Sequence, residues 1–332
     1  LGGARVRARH HRERSDRLPV GAAVNIFLWH VHGSWTTSFV QGPHRYLVPV
    51  LPDRGPDGLG RAETWDWPDT VIEVTPEGAR EASIDVVILQ RPHELVLATT
   101  WLGRRPGIDV PVVYLEHNTP PDPTGTTVHV ATEIPGCSLV HVTAFNATYW
   151  DNGDVPWTVI DHGIVDPGYR YRGDDPSACV AINDPVRRGR AVGADLLPFF
   201  EQRFPVSLYG MRSEALGGAD VPQHLMHEAF ASHRVYLHLS RWTSLGLSLL
   251  EAMHLGMPVV ALAATAVPSA IPTDAGIVET DVRVLRDAAA ELLQDPERCV
   301  QLGKAARAAA LERFGLDRFL GEWDALLEEV AA

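Results

Sequence analysis

The segment SRWTSLGLSLLEAMHLGMPVVALAATAVP, residues Ser240 to Pro268, spells out a loop, a helix, a tight turn, a buried strand and a second loop. Thr243-Ser244-Leu245-Gly246 opens the helix; Gly246 lets backbone come close to a ligand, and free amides at a helix start attract anions. The helix is expected over Ser248–Leu255, with Gly256 in the left-handed position just past its end. Pro258 then starts Val259-Val260-Ala261-Leu262-Ala263, an apolar run typical of a parallel strand buried on both faces. Glu251 sits inside this apolar helix. Helical side chains lean towards the N-terminus, so its carboxylate points at whatever the loop holds. A phosphate cradle beside a carboxylate suits a sugar nucleotide, with amides for the diphosphate and Glu251 for ribose hydroxyls.

Upstream of this segment, His233–Leu239 reads as its preceding strand, Val206–Gly210 as another and Ala178–Ile182 as a third. Between the last two lies Asn183-Asp184-Pro185-Val186-Arg187-Arg188-Gly189-Arg190, a basic loop expected to precede a helix at Ala194–Phe200. Three arginines around a glycine at a strand-to-helix junction are placed for phosphate, which arginine binds in bidentate fashion. The Pro/Gly/Asp-rich stretch 166–176 is the expected linker.

Val24–Trp29 reads as the first strand and empties into His30-Val31-His32-Gly33-Ser34-Trp35, with a helix expected from Ser38. Ligands of open α/β sheets bind where strands end and helices begin, so this loop is a candidate binding loop, and one of His30 and His32 is expected to touch a ligand. It lacks the GxGxxG fingerprint. Further strands are expected at Asp85–Leu89, Pro111–Leu115, Leu139–Val142 and Trp157–Ile160, with Thr143 capping a helix over Ala144–Trp150. His117 follows the Pro111–Leu115 strand, where an imidazole can serve as an acid–base or hydrogen-bonding group. Seven of the nine tryptophans precede residue 160, and Trp65 and Trp67, flanking Asp66 in a loop, are the ones expected to be exposed and to stack on a sugar ring or apolar acceptor.

The chain has 332 residues, more than one core usually covers, so two domains are expected. A formal net charge of −13 argues against nucleic acid as a general partner. Three cysteines, Cys137, Cys179 and Cys299, are odd in number and lack metal-ligand spacing, which suits reduced structural thiols in a cytoplasm. No apolar run reaches the roughly 18 residues of a membrane helix. Residues 1–20 carry six arginines and two acids without an apolar face. They read as a disordered tail, with peripheral contact to an anionic membrane as the weaker alternative. At the other end, helices are expected over Asp281–Leu293 and Pro296–Phe314. A last amphipathic one spans Arg318–Glu329, with Phe319, Trp323, Leu326 and Leu327 on one face.

The combined pattern Gly246-Leu247, Glu251-Ala252-Met253 and Gly256-Met257-Pro258-Val259-Val260 resembles that of retaining glycosyltransferases of the GT-B architecture, family 4. The likeness covers roughly residues 178–330 well and the first half in outline. It implies an α/β fold of two Rossmann-like domains whose parallel sheets face a central cleft. Residues 21–168 would form the acceptor domain and 169–313 the nucleotide-sugar donor domain, while 314–332 would cross back to the first. The implied reaction moves a sugar from a nucleotide-diphosphate sugar to an acceptor hydroxyl, with retention and without metal. No cofactor is expected beyond the UDP- or GDP-sugar substrate, and the acceptor is a small molecule, a glycan or a lipid. His117, Arg188 and Glu251 are the implied catalytic residues. Glu251 would bind the ribose, Arg188 before Gly189 would match the family's phosphate-loop cation, and His117 would help hold the donor sugar. Donor contacts are further expected from Gly33, Asn183, Arg187, Arg241, Thr243, Ser244, Leu245, Gly246 and Leu247, and acceptor contacts from His32, Trp35, Trp65 and Trp67.

Two positions depart from the family pattern. Thr243 stands where the family has its first signature acid, and Asn183 where it usually has an arginine. Threonine offers a hydroxyl but no charge, so the donor sugar's identity is left open. Two alternatives stay in view. One is a different GT-B reaction, that of a sugar-nucleotide epimerase, and the other, which these departures motivate, is a catalytically silent module that binds a sugar nucleotide or a partner.

Overall fold

Runs of four or five largely apolar residues recur through the chain, and those at 86–89, 112–116 and 259–262 are strands buried along their whole length. The computed structural model describes residues 23–331; the basic stretch 1–20 lies outside the described residues. The first half runs β1 (Asn25–Leu28), α1 (Gly33–Phe39), β2 (Arg45–Pro49), β3 (Val71–Val74), α2 (Pro76–Glu81), β4 (Val86–Leu89), α3 (Glu94–Leu102), β5 (Val112–Glu116), β6 (Cys137–His141), α4 (Ala144–Tyr149) and β7 (Trp157–Val159). The second half begins with β8 (Asp175–Ala181), α5 (Pro185–Arg188), α6 (Leu197–Glu201), β9 (Val206–Tyr209), α7 (Gln223–Ser232) and β10 (His233–His238). It continues with α8 (Leu247–Leu255), β11 (Val259–Leu262), α9 (Val267–Ala270), β12 (Gly276–Glu279), α10 (Val282–Leu292), α11 (Pro296–Phe314) and α12 (Leu316–Ala331).

Two parallel sheets result, in the orders β3-β2-β1-β4-β5-β6-β7 and β12-β11-β10-β8-β9. Each is doubly wound, so strand order reverses once, between β1 and β4 in the first sheet and between β8 and β10 in the second. At those reversals the loops leave the sheet in opposite directions and open a crevice. The chain ends that border the two crevices are 29–33 and 90–93 on one side, and 182–190 and 239–246 on the other.

The last helix ties the halves together. Phe319, Trp323 and Leu327 of α12 are buried in one core with Trp35, Phe39 and Tyr46 of the first half. The chain reaches them by passing Gly163, where a Cβ would lie 2.4 Å from the Cβ and Cγ of Phe319. Arg313 pairs with Asp161 at 2.8 Å, and Arg318 donates to the carbonyls of Asp161 and His162 at 2.9 and 2.8 Å. The three cysteines are free and buried.

The structure corrects several expectations. The helix after β1 begins at Gly33 rather than Ser38 and ends at Phe39, so the binding loop is only four residues long. The helix expected over Ala194–Phe200 is a 3-10 turn at Ala194–Leu196 followed by α6, because Pro198 needs the first-turn position. Strands β2 and β3 escape the sequence reading, since Arg45-Tyr46-Leu47-Val48-Pro49 and Val71-Ile72-Glu73-Val74 carry charge or proline. Trp67 is buried, not exposed: its Nε1 donates to Thr37 Oγ1 at 2.8 Å. Trp35 is buried as well, stacked on Phe39 and edge-on to Trp323. Neither indole is available to stack on an acceptor.

Candidate functional site

The segment from Trp242 to Glu251 is where the two halves meet. Gly246 is the N-cap residue of α8, the helix takes no side-chain cap, and its first turn holds no acid. The positive end of the helix is therefore uncompensated and faces the crevice. Gly256 ends the helix at φ 85°, as its sequence position implied. Gly246 has φ −73°, and a Cβ there would lie 2.6 Å from Cε1 of buried His238. Room for that imidazole gives the position a reason of its own to lack a side chain.

Of the arginines in the 183–190 segment, only one is unspent. Arg187 pairs with Asp184, which also receives Arg212 at 3.1 Å. Arg190 pairs with Asp195, which also receives Arg241 at 2.6 Å. The Arg188 guanidinium is half-buried and has no hydrogen bond or ion pair among the described residues. It is close enough to His32, on the other half, to push that imidazole's pKa down. A half-buried cation without a partner is costly unless an anion completes it. Asn183 is exposed and accepts from the Met211 amide at 2.9 Å, so it braces two loops. Thr243 Oγ1 is buried without a partner.

Opposite stands a cluster of imidazoles at the ends of β1 and β5 and at residue 162. His32 lies over His117 with ring centroids 4.0 Å apart, and His117 lies 6.2 Å from His162. Burial holds all three below the ordinary histidine range, His32 at about 4 and His162 at about 3, with neighbouring imidazoles and arginines adding to the effect. Gln90 donates from Nε2 to the carbonyl of Trp29, which leaves its Oε1 as acceptor for His117 Nε2 at 3.0 Å. His117 is thus the neutral Nε2–H tautomer, with its Nδ1 lone pair left as an acceptor. Of the two roles expected for His117, acid–base group or hydrogen-bonding group, this setting suits the second: its Nδ1 can accept a hydrogen bond from a hydroxyl. His30 is engaged elsewhere, with Nδ1 on the Gly60 carbonyl and its ring on Trp67.

Glu251 is 5% exposed and faces the first half. Ser34 Oγ donates to its Oε1 at 2.6 Å, and His227 Nε2 lies 3.6 Å from its Oε2. Between them is a cavity of about 20 Å³, lined also by Thr37, Trp65 and Val165, which is the room of about one water. Trp65 is half-buried and stands over Gly33, whose Cβ would meet Trp65 Nε1 at 3.2 Å. Three further contacts close the same seam. Thr143 and Ser244 hydroxyls share a hydrogen bond of 2.8 Å, Trp242 Nε1 donates to the Pro120 carbonyl at 2.8 Å, and the Trp242 ring packs edge-on against Phe145 and Tyr149. Leu245 is core, and Leu247 touches the cores of both halves.

The fold therefore brings together His32, His117, Arg188, Glu251, Trp65 and the 243–247 loop. It keeps Trp35 and Trp67 in the core, and it ties Asn183, Arg187 and Arg241 into loop structure. Sequence reasoning missed Ser34, Gln90, Trp242 and His227. Gln90 and Ser34 stand at strand-end loops and were in principle findable; His227 lies within a helix and gives no sequence signal. A separate hollow of about 580 Å³, lined by Thr132, Cys137 and Asp154 among others, opens at the opposite end of β6 and shares no residue with this site.

Residues 217–309 match the family model described as "Glycosyl transferases group 1". Solved structures match over nearly the whole chain. HepE of Anabaena, in complex with UDP and glucose, is 16% identical with a TM-score of 0.67, covering 92% of this chain and 99% of that one. Sucrose-phosphate synthase of Thermosynechococcus elongatus is 14% identical with a TM-score of 0.68, covering 92% and 98%. The fold is GT-B. TarM of S. aureus is more distant in extent, 14% identical with a TM-score of 0.59 over 73% of this chain and 55% of that one. No curated protein sequence matches the chain. In the GT-B fold the two sheets face one another across a crevice, which is where the residues above converge.

Proposed function

We propose that this protein is a retaining glycosyltransferase that moves a sugar from a nucleotide-diphosphate sugar to an acceptor hydroxyl. The observation that carries the reading is Arg188: a half-buried guanidinium without a partner, in the same crevice as the uncapped start of α8 and the Glu251 carboxylate. That arrangement suits a diphosphate joined to a ribose. In the proposed reaction the acceptor oxygen bonds to the anomeric carbon on the face from which the diphosphate leaves. The bond from that carbon to the phosphate oxygen breaks, and the acceptor's proton passes to the departing phosphate. Arg188 and the first amides of α8 meet the charge that develops there, without a metal. His117 accepts a hydrogen bond from a sugar hydroxyl through Nδ1. The group 1 match over 217–309 and the UDP and glucose bound by HepE lend support to a nucleotide sugar.

The test is a panel of UDP- and GDP-sugars with sugar, glycan and lipid acceptors, with and without a chelator, followed by NMR of the anomeric configuration. Transfer with retention, unchanged by chelator, is expected. Glu251→Ala is expected to weaken nucleotide binding by roughly tenfold or more, the cost of removing a charged acceptor; equal affinity would remove Glu251 from the site. A second reading, a silent sugar-nucleotide-binding module, is favoured by Thr243 in place of the signature acid. Donor binding with neither transfer nor hydrolysis across the panel would select it, and an epimerised donor without acceptor would select an epimerase.

A further inference from the structure

His227 belongs to no part of the site foreseen above. It sits in α7, which packs on α8 and brings the imidazole to Glu251 Oε2, the carboxylate oxygen that Ser34 does not bond. Its Nε2 is fully covered yet has no hydrogen-bond partner among the described residues. At 3.6 Å from Glu251 Oε2 it is too far for a hydrogen bond. A buried imidazole nitrogen left without a partner costs free energy, and a sequence can avoid that cost with an apolar residue. The other carboxylate oxygen already holds an alcohol, the Ser34 hydroxyl at 2.6 Å. The three groups line one water-sized cavity. Two polar groups, Glu251 and His227, thus flank a gap that one oxygen would fill, and a neighbouring hydroxyl shows what kind of group the carboxylate takes.

Resting on the proposed nucleotide-sugar site, we propose that His227 is a ribose-reading residue. When the nucleotide binds, Ser34 gives way, and the vicinal diol of the ribose lies between Glu251 and His227. One hydroxyl donates to the carboxylate. The other bonds His227 Nε2, which either tautomer of the imidazole allows because a hydroxyl both donates and accepts. The pair then discriminates ribose from deoxyribose, because a nucleotide lacking one hydroxyl leaves a buried polar group unpaired.

Isothermal titration of UDP and GDP, each also in its 2′-deoxy and 3′-deoxy forms, tests this on wild type, His227→Ala, His227→Gln and Glu251→Ala, with circular dichroism to confirm folding. Wild type is expected to prefer the ribonucleotide to at least one deoxy form. His227→Ala should lose roughly 3- to 10-fold on the ribonucleotide and little on that deoxy form, so the preference shrinks. His227→Gln, which keeps an N–H donor, should restore part of it. An unchanged preference in His227→Ala, or an equal loss on all forms, would overturn the role of His227 while leaving the site intact. A wild type that binds none of the probes, or a Glu251→Ala variant that binds them as wild type does, would overturn the nucleotide-sugar reading itself.

Discussion

His117 shows how far a single side chain can be moved from its ordinary chemistry. Gln90 sets its tautomer, and burial beside His32 and His162 keeps it neutral. All three imidazoles have pKa values depressed in the folded chain. On acidification, the unfolded chain takes up protons near pH 6.5 while the folded chain does so only near pH 4 and 3 for His32 and His162. Stability is therefore fully present above the ordinary histidine value and is lost as pH falls through that window, by at most about 1.4 kcal/mol per pH unit for each group. Urea unfolding followed from pH 7.5 to 5 should show the midpoint falling steadily, ahead of any carboxylate titration. A midpoint that stays level or rises over that range would show that the imidazoles are not held neutral.

At the scale of elements, α12 is the one whose loss would be felt in both halves. Its Trp323 is 1% exposed and touches Trp35 and Phe39, so Trp323→Ala should cost roughly 3–5 kcal/mol. Gly163 is a subtler control. An alanine there would collide with the Cβ of Phe319, which cannot swing away because it is fixed to the backbone of α12. Overpacking of this kind costs typically about 1–3 kcal/mol, and Gly163→Ala should lower the urea midpoint accordingly. If Gly163→Ala melts with the wild type, the passage of the chain beneath α12 is looser than the contacts indicate.

For the whole molecule, the relation between the two sheets decides access. Expectation from the sequence was a central cleft between the two sheets. Here Ser34 to Glu251, Thr143 to Ser244 and Trp242 to Pro120 already close it, and about 20 Å³ remains beside Glu251. A ribose needs far more than the room of one water, so on the proposed reading the halves part at Ser34 before a nucleotide seats. Ser34→Ala removes the competing hydroxyl and should tighten nucleotide binding severalfold, roughly 2- to 10-fold, as the closed arrangement loses its advantage. Titration with UDP measures it directly. Weaker binding by Ser34→Ala would instead make Ser34 part of the bound site.

The sequence by itself determined the alternation of buried strands and helices, the run from Gly246 through Glu251 to Gly256 and Pro258, the cap at Thr143 and the amphipathic last helix. These are written in patterns of ten residues or so, where period, capping and turn chemistry act locally. It also singled out Glu251, as a carboxylate inside an apolar helix, and the three arginines around Gly189 as a group; the choice of Arg188 among them came from the family resemblance. Only the tertiary structure decided which arginines are spent and which is free, since Arg187 and Arg188 are neighbours in sequence and differ only in what faces them. Only it could bury Trp67, which reads as an exposed aromatic until Thr37 bonds it, and Trp35, an expected acceptor contact that packs on α12 instead. The pairing of Ser34 with Glu251 spans 217 residues, and His227 reaches that same carboxylate from a different helix. Such contacts depend on how two separately formed sheets are brought face to face, and no local pattern encodes that distance.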